Sequence, residues 1–238
     1  MPFTGASLRF LRGLARNNAK PWFEAHRSDY ENHVRTPMQQ LIEEMDVRFA
    51  RFAPEFTGDP KRSMFRIHRD TRFSHDKSPY KGHAACWFRH RHADHKVGGE
   101  AEGGGAGFYF HLQPGASFVG GGIWRPPRGL LNNLRDGIAD DPAGFETIVM
   151  HPAFRRRFGG LDGGDVLKRM PRGFADDHPA AEWLRYKSFT VGRRVTDTQV
   201  TGGRLPGLIE RDFAAMLPLV RWLNGCLGLG AGGRARGF

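Results

Sequence analysis

From Met38 to Phe52 the side chains Met38, Leu41, Ile42, Met45, Phe49 and Phe52 recur at i, i+3, i+4, i+7, i+11 and i+14. A strand scatters such a set over both faces, whereas a helix of about 3.6 residues per turn gathers it into one stripe. That stripe has to be covered by other elements, so the chain must build a layered core around this helix.

Weaker patterns supply those elements. Thr4 or Ser7 caps a first helix carrying Leu8, Leu11 and Leu14, and Asn17-Asn18 ends it. Pro21 suits the first turn of a second helix with Trp22, Phe23, His26, Tyr30 and Val34, and Thr36-Pro37 starts the third. Pro126-Pro127 opens a helix through Leu130, Leu131, Leu134 and Ile138, and Asp141-Pro142 opens another with Phe145, Ile148 and Val149. His178–Tyr186 reads as helical, with Asp177 as its cap and Glu182 paired to Arg185. A last helix spans about Pro206 to Gly225, kinked at Pro218.

Extended segments are expected at 63–68, 83–89, 107–112, 117–124 and 188–191. Gln113-Pro114-Gly115-Ala116 joins two of them as a hairpin, and Gly120–Gly122 marks a bulge or a close backbone approach. Residues 90–106, nearly without apolar side chains and rich in Gly and His, read as a mobile surface loop. Helices and strands mix without a βαβ rhythm. The predicted class is α+β: an antiparallel or mixed sheet packed against several helices, one domain over residues 1–228, and a frayed tail at 229–238.

The 238 residues carry 36 Lys+Arg against 25 Asp+Glu, a net +11. The excess is local: 1–60 is neutral, 61–96 carries +7 and six His, 97–150 carries −3, 151–194 carries +5 and the rest +2. A uniformly solvated surface does not need that segregation. Most of the cations are Arg, whose planar fork suits phosphate and carboxylate, although a G+C-rich genome also raises Arg, Gly and Ala together. No apolar run approaches the roughly 18–20 residues of a membrane span. The N-terminus shows no signal-peptide pattern, and two cysteines, Cys86 and Cys226, cannot build a disulfide framework. These features predict a cytoplasmic protein and argue against membrane, secreted and fibrous classes.

The densest polar run is 66–81. Arg66, Arg69, Arg72, Lys77 and Lys81 are its cations, Asp70 and Asp76 its carboxylates, and Ser74, Ser78 and Tyr80 its hydroxyls. Clustered guanidinium groups with one or two carboxylates suit a phosphate or carboxylate ligand. Asp70 or Asp76 would orient an Arg, or move a proton if its pKa were raised. A surface turn laced with Arg–Asp pairs explains the same composition. Lys168, Arg169 and Arg172 of the second run would form another wall of such a site, and a capped, solvated face accounts for them equally. His90, His92, His95 and Asp94 match no metalloenzyme spacing, so no metal is assigned; no phosphate loop, nucleophile elbow or dinucleotide fingerprint is present, so no cofactor is assigned.

Four stretches, 11–30, 66–83, 107–126 and 167–189, resemble the bacterial and fungal "domain of unknown function 2461" in order and spacing. The second, RIHRDTRFSHDKSPYKGH, is the most specific, and the loop at 90–106 departs from the pattern in length. The resemblance implies a single domain over nearly the whole chain and a shared design behind both basic runs. It supplies no activity.

Two functional readings follow. In the first, Arg66, Arg69, Arg72, Lys77 and Lys81 bind an anionic small molecule, with Asp70 or Asp76 orienting them and Tyr80 and 167–172 completing the walls. In the second, a non-enzymatic nucleic-acid binder stacks bases on Phe65, Phe73, Tyr80, Trp87, Phe174 and Trp183. A concave pocket joining the two runs favours the first, and an open convex face the second. A scaffold without a small ligand is the third class.

Overall fold

Thr4 starts α1 (Gly5–Arg16) with a capping box: its Oγ1 accepts from the Ala6 amide while Ser7 Oγ accepts from the Thr4 amide. Leu8, Leu11 and Leu14 are buried, and Asn17 closes the helix. α2 (Lys20–Ala25) carries Pro21 in its first turn as expected, but it does not continue to Val34. The chain breaks at His26, whose Nδ1 turns back to the Trp22 carbonyl at 2.8 Å. It resumes as α3 (Arg27–Tyr30), widens into a π turn (Glu31–Arg35) and runs on as α4 (Thr36–Phe52). Pro37 has no amide to donate, and the wider turn falls where its ring would crowd an α-helical carbonyl. The stripe on α4 is buried from Met38 to Phe49, with Phe52 half-buried.

This computed structural model describes residues 3–72, 76–93 and 104–230. After α4 the order is β1 (Phe56–Thr57), β2 (Ala84–His90), β3 (Gly107–Leu112), β4 (Phe118–Ile123), α5 (Arg128–Asp140), α6 (Pro142–Val149), α7 (Pro152–Phe158), α8 (Ala181–Leu184), β5 (Phe189–Arg194), α9 (Asp197–Val200) and α10 (Leu205–Cys226). The strands form one open sheet in the order β1-β2-β3-β4-β5, every neighbour antiparallel, so the fold is α+β.

One face of the sheet lies against α4 and α10. Phe88, Phe108, Phe110, Val119 and Val191 point into that layer, where the Phe108 ring stands 5.6 Å from Phe49 and 4.8 Å from Phe213. Each such side chain, fully buried, contributes about 1.5–3 kcal/mol. The alternate residues, among them Trp87, Arg89, Tyr109, Gly120, Gly122, Thr190 and Gly192, turn to the other face.

Several expectations need correction. Residues 63–68 do not form a regular strand; they meet 80–86 through isolated bridges, Met64 with Cys86 and His68 with Tyr80. The helix expected over 178–186 shrinks to α8. There His178 Nδ1, not Asp177, accepts from the Ala180 amide, and Arg185 Nε donates to the Ala181 carbonyl. The helices α7 and α9 have no counterpart in the sequence reading. His90 is not in a surface loop: it is 1 % exposed at the end of β2. Of the expected loop, 94–103 lies outside the described residues, as do 231–238 of the expected tail. Cys86 is buried and Cys226 half-buried, and both are free thiols. Among the described residues no helix is long and apolar enough to cross a membrane.

Candidate functional site

The sheet face away from α4 and α10 borders a cavity of about 1210 Å3. Its floor is bare backbone at Gly120, Gly122 and Gly192, with Gly120 directly opposite Gly192 across the β4–β5 ladder. Glycine there lets another group approach the sheet closely. Phe65, Trp87, Tyr109 and Phe118 stand around the floor, with the Phe65 ring edge-on to Tyr109 at 5.9 Å. The opposite wall comes from 124–127 and from the turn 158–162, which Asp162 docks on β5 by donating its amide to the Thr190 carbonyl at 2.8 Å.

At the cavity mouth Trp124 is 68 % exposed and Arg125 has a φ of 44°. A non-glycine residue in the left-handed region is uncommon, and such strain concentrates at ligand clamps. Arg125 is held there by its amide, which donates to Ser188 Oγ at 2.9 Å. Its guanidinium lies 5.0 Å from the centre of the Trp124 ring and 3.4 Å from Asp165.

Lys81, Arg89, Arg125 and Arg194 line the cavity against one carboxylate, Asp162, among the described residues, while the Arg193 side chain turns to the opposite face of β5. Arg193 is engaged by Asp212 of α10, and Arg125 by Asp165. Lys81 Nζ sits 5.5 Å from the centre of the Phe65 ring and meets no carboxylate among the described residues. Burial, and then the Arg66 and Arg69 guanidinium groups, hold its pKa below the ordinary lysine value. Arg69 is ion-paired with Asp76 at 3.0 Å and donates to the Tyr80 carbonyl, yet its Nε is buried without a partner among the described residues.

The 63–69 and 79–87 segments run antiparallel as an irregular hairpin: Phe65 donates to Ala85, Lys81 to Ile67, and Arg69 to Pro79. At its tip Asp70 takes two hydrogen bonds from the Arg72 side chain, which hold its carboxyl far below the usual range. Hydrogen bonds from Ser78, and the charge of Arg69, lower Asp76 as well. Asp70 is ion-paired with Arg72 and Asp76 with Arg69. Lys77 donates to the Thr71 carbonyl and Arg66 is exposed. Tyr80 is 2 % exposed, stacked on Phe23 at 4.2 Å and clamped by the Asn18 amide, which both donates to its carbonyl and accepts from its N–H. Lys168, Arg169 and Arg172 are exposed and line no part of the cavity. Of the expected stacking residues, Phe65 and Trp87 reach the cavity, Trp183 is buried with its indole on Glu146, and Phe73 lies outside the described residues.

Beside Lys81, the His83 ring stands 4.2 Å from His111, which bridges Tyr109 and Gln113. Burial first, then His111, Lys81 and Arg69, push His83 down to about 4. The fold therefore favours neutral His83. Its contribution to stability is fully present above the unfolded value of 6.5 and is lost as pH falls toward 4. The melting temperature is expected to drop across that window, and less steeply in His83→Gln. Parallel pH curves for the two proteins would refute this.

Reading period two along β2 and β3 would have placed Trp87, Arg89 and Tyr109 on one face from sequence. Trp124, Arg125 and Arg194 carried no comparable signal. No curated protein and no solved structure matches the chain. The model of the family described as "Conserved hypothetical protein (DUF2461)" matches residues 6–222, and the chain therefore belongs to that family.

Proposed function

We propose that the protein binds a small, planar molecule bearing a phosphate or carboxylate on the glycine floor of its sheet. The observation that carries this reading is the combination in one cavity of a bare backbone floor, four aromatic rings and an excess of cations. Aromatic walls suit the flat face of a conjugated ring, and a few convergent polar groups fix its orientation. Lys81, Arg89 and Arg194 on the cavity wall suit the anionic end. Arg72 and Lys77 keep the hairpin tip closed around Asp70 and the Thr71 carbonyl.

Calorimetric and melting titrations with nucleoside monophosphates, aromatic carboxylates and sugar phosphates test the reading. At least one planar anion is expected to bind, and Lys81→Met to weaken it by about tenfold or more, the worth of a charge-assisted hydrogen bond. Silence across the panel rejects it. Net +11 favours nucleic acid as the second reading, and it predicts oligonucleotide affinity that falls steeply with salt.

A further inference from the structure

We propose that Lys81 is an amine nucleophile that condenses with an aldehyde or ketone carbonyl of the molecule held in the cavity. The location rests on the binding reading above; the chemistry rests on the surroundings of the amine. Among the described residues Lys81 is the lysine that lines the cavity. Its neighbours differ from those of other lysines. Lys187 is paired to Asp165 at 2.6 Å, and Lys77 donates to the Thr71 carbonyl at 2.8 Å. Lys81 Nζ lies over an aromatic ring and feels the charges of Arg66 and Arg69, with no hydrogen-bond acceptor among the described residues.

Its backbone is fixed on both sides. The Lys81 amide donates to Ile67 at 2.8 Å, and the preceding Tyr80 is clamped by Asn18. The stem that carries the amine therefore starts from a fixed point at the cavity wall. Desolvation and like charge both disfavour the ammonium, which leaves more of the amine neutral with its lone pair available.

The step balances within the two reactants. The Nζ lone pair forms a bond to the carbonyl carbon, the C=O π pair moves to oxygen, and that oxygen takes a proton from the nitrogen. The carbinolamine then loses its hydroxyl and the remaining N–H proton as water, leaving a C=N bond. No oxidant or reductant takes part. The cavity cations Arg89 and Arg194 would hold a carboxylate or phosphate of the same molecule, and the conjugated imine is flat, as the glycine floor demands.

The test uses the full chain and two aldehyde probes, pyridoxal 5′-phosphate and pyridoxal, each trapped with borohydride near neutral pH and mapped by peptide mass spectrometry. Lys81 is expected to be labelled about tenfold or more faster than the exposed Lys20, Lys61 and Lys168, whose ammonium groups are solvated. Lys81→Arg, which keeps the cation, is expected to melt as the wild type does and to lose that adduct. Labelling of Lys81 no faster than the exposed lysines overturns the proposal. If the anion panel binds and Lys81 still shows no enhancement, the nucleophile fails and the binding reading stands. Enhancement with both probes, in a protein that binds no anion, upholds the nucleophile and removes the binding reading.

Discussion

Asp212→Ala is expected to cost about 3 kcal/mol or more, because removing one member of a buried ion pair leaves its partners uncompensated. Asp212 is fully buried in α10, and its carboxylate serves two guanidinium groups at once. Arg157 of α7 donates to Oδ1 through Nε at 2.8 Å, and Arg193 of β5 grips both oxygens. Without the carboxylate, two cations remain side by side, each about one-third exposed or less and so only partly relieved by water. For a chain of this size the loss corresponds to a fall in melting temperature of roughly 6–12 °C. Glu24→Ala is the control, since the Glu24–Arg27 pair has the same chemistry at an exposed position, where solvent screens it. A denaturant titration showing equal losses for the two variants would rule out the account. The consequence reaches the cavity, because Arg157 lies in the last turn of the helix that leads into the 158–162 wall and Arg193 sits in β5 between Gly192 and Arg194, which line the cavity.

Arg193 also shows why the sequence is legible only in part. Period two along β5 puts it on the buried face beside Val191, where an arginine has no reason to be until Asp212, distant in sequence, is placed opposite. The α4 stripe and the 107–124 hairpin need only local spacing, and both stand as read. The break at His26 is made locally, by a ring that stacks on Trp22 at 4.1 Å while its Nδ1 meets the Trp22 carbonyl, and apolar spacing does not register such a contact. Charge runs reveal composition but not direction. In the first basic run Lys81 turns to the cavity, Tyr80 turns to the core because Asn18 acts as a surrogate strand for it, and Asp70 closes on its own neighbour Arg72. In the second run the charges point to solvent, and the wall expected from 167–172 is built by 158–162, a segment whose glycines at 159 and 160 take φ of 81° and 129° to make the turn.

Gly122 and Gly120 are neighbours on one face of β4, and their replacement by alanine separates what the floor does for the fold from what it does for binding. Gly122 has a φ of 118°, which L side chains rarely adopt, and a Cβ there would lie 1.9 Å from the Phe189 carbonyl oxygen. That oxygen and the next nearest atoms, Phe189 C and Thr190 Cα, are backbone of the adjacent strand, so relief requires parting β4 from β5 where Gly122 pairs with Thr190. Backbone strain of about 1–3 kcal/mol adds to that steric cost. Gly122→Ala is accordingly expected to lose about 4 kcal/mol or more, in the range reserved for a disrupted core. At Gly120 a Cβ meets the Val191 oxygen at 3.4 Å and the Phe118 ring at 3.8 Å, which is ordinary contact. Gly120→Ala should therefore melt within a few degrees of the wild type. Its methyl group, however, rises from the floor into the space that a flat ligand would occupy. Any planar anion found by titration should bind Gly120→Ala more weakly by about tenfold, the cost of lifting a ring off a close contact surface. Should Gly122→Ala fold normally, the strain argument is wrong; should Gly120→Ala bind like the wild type, the ligand does not lie on the floor.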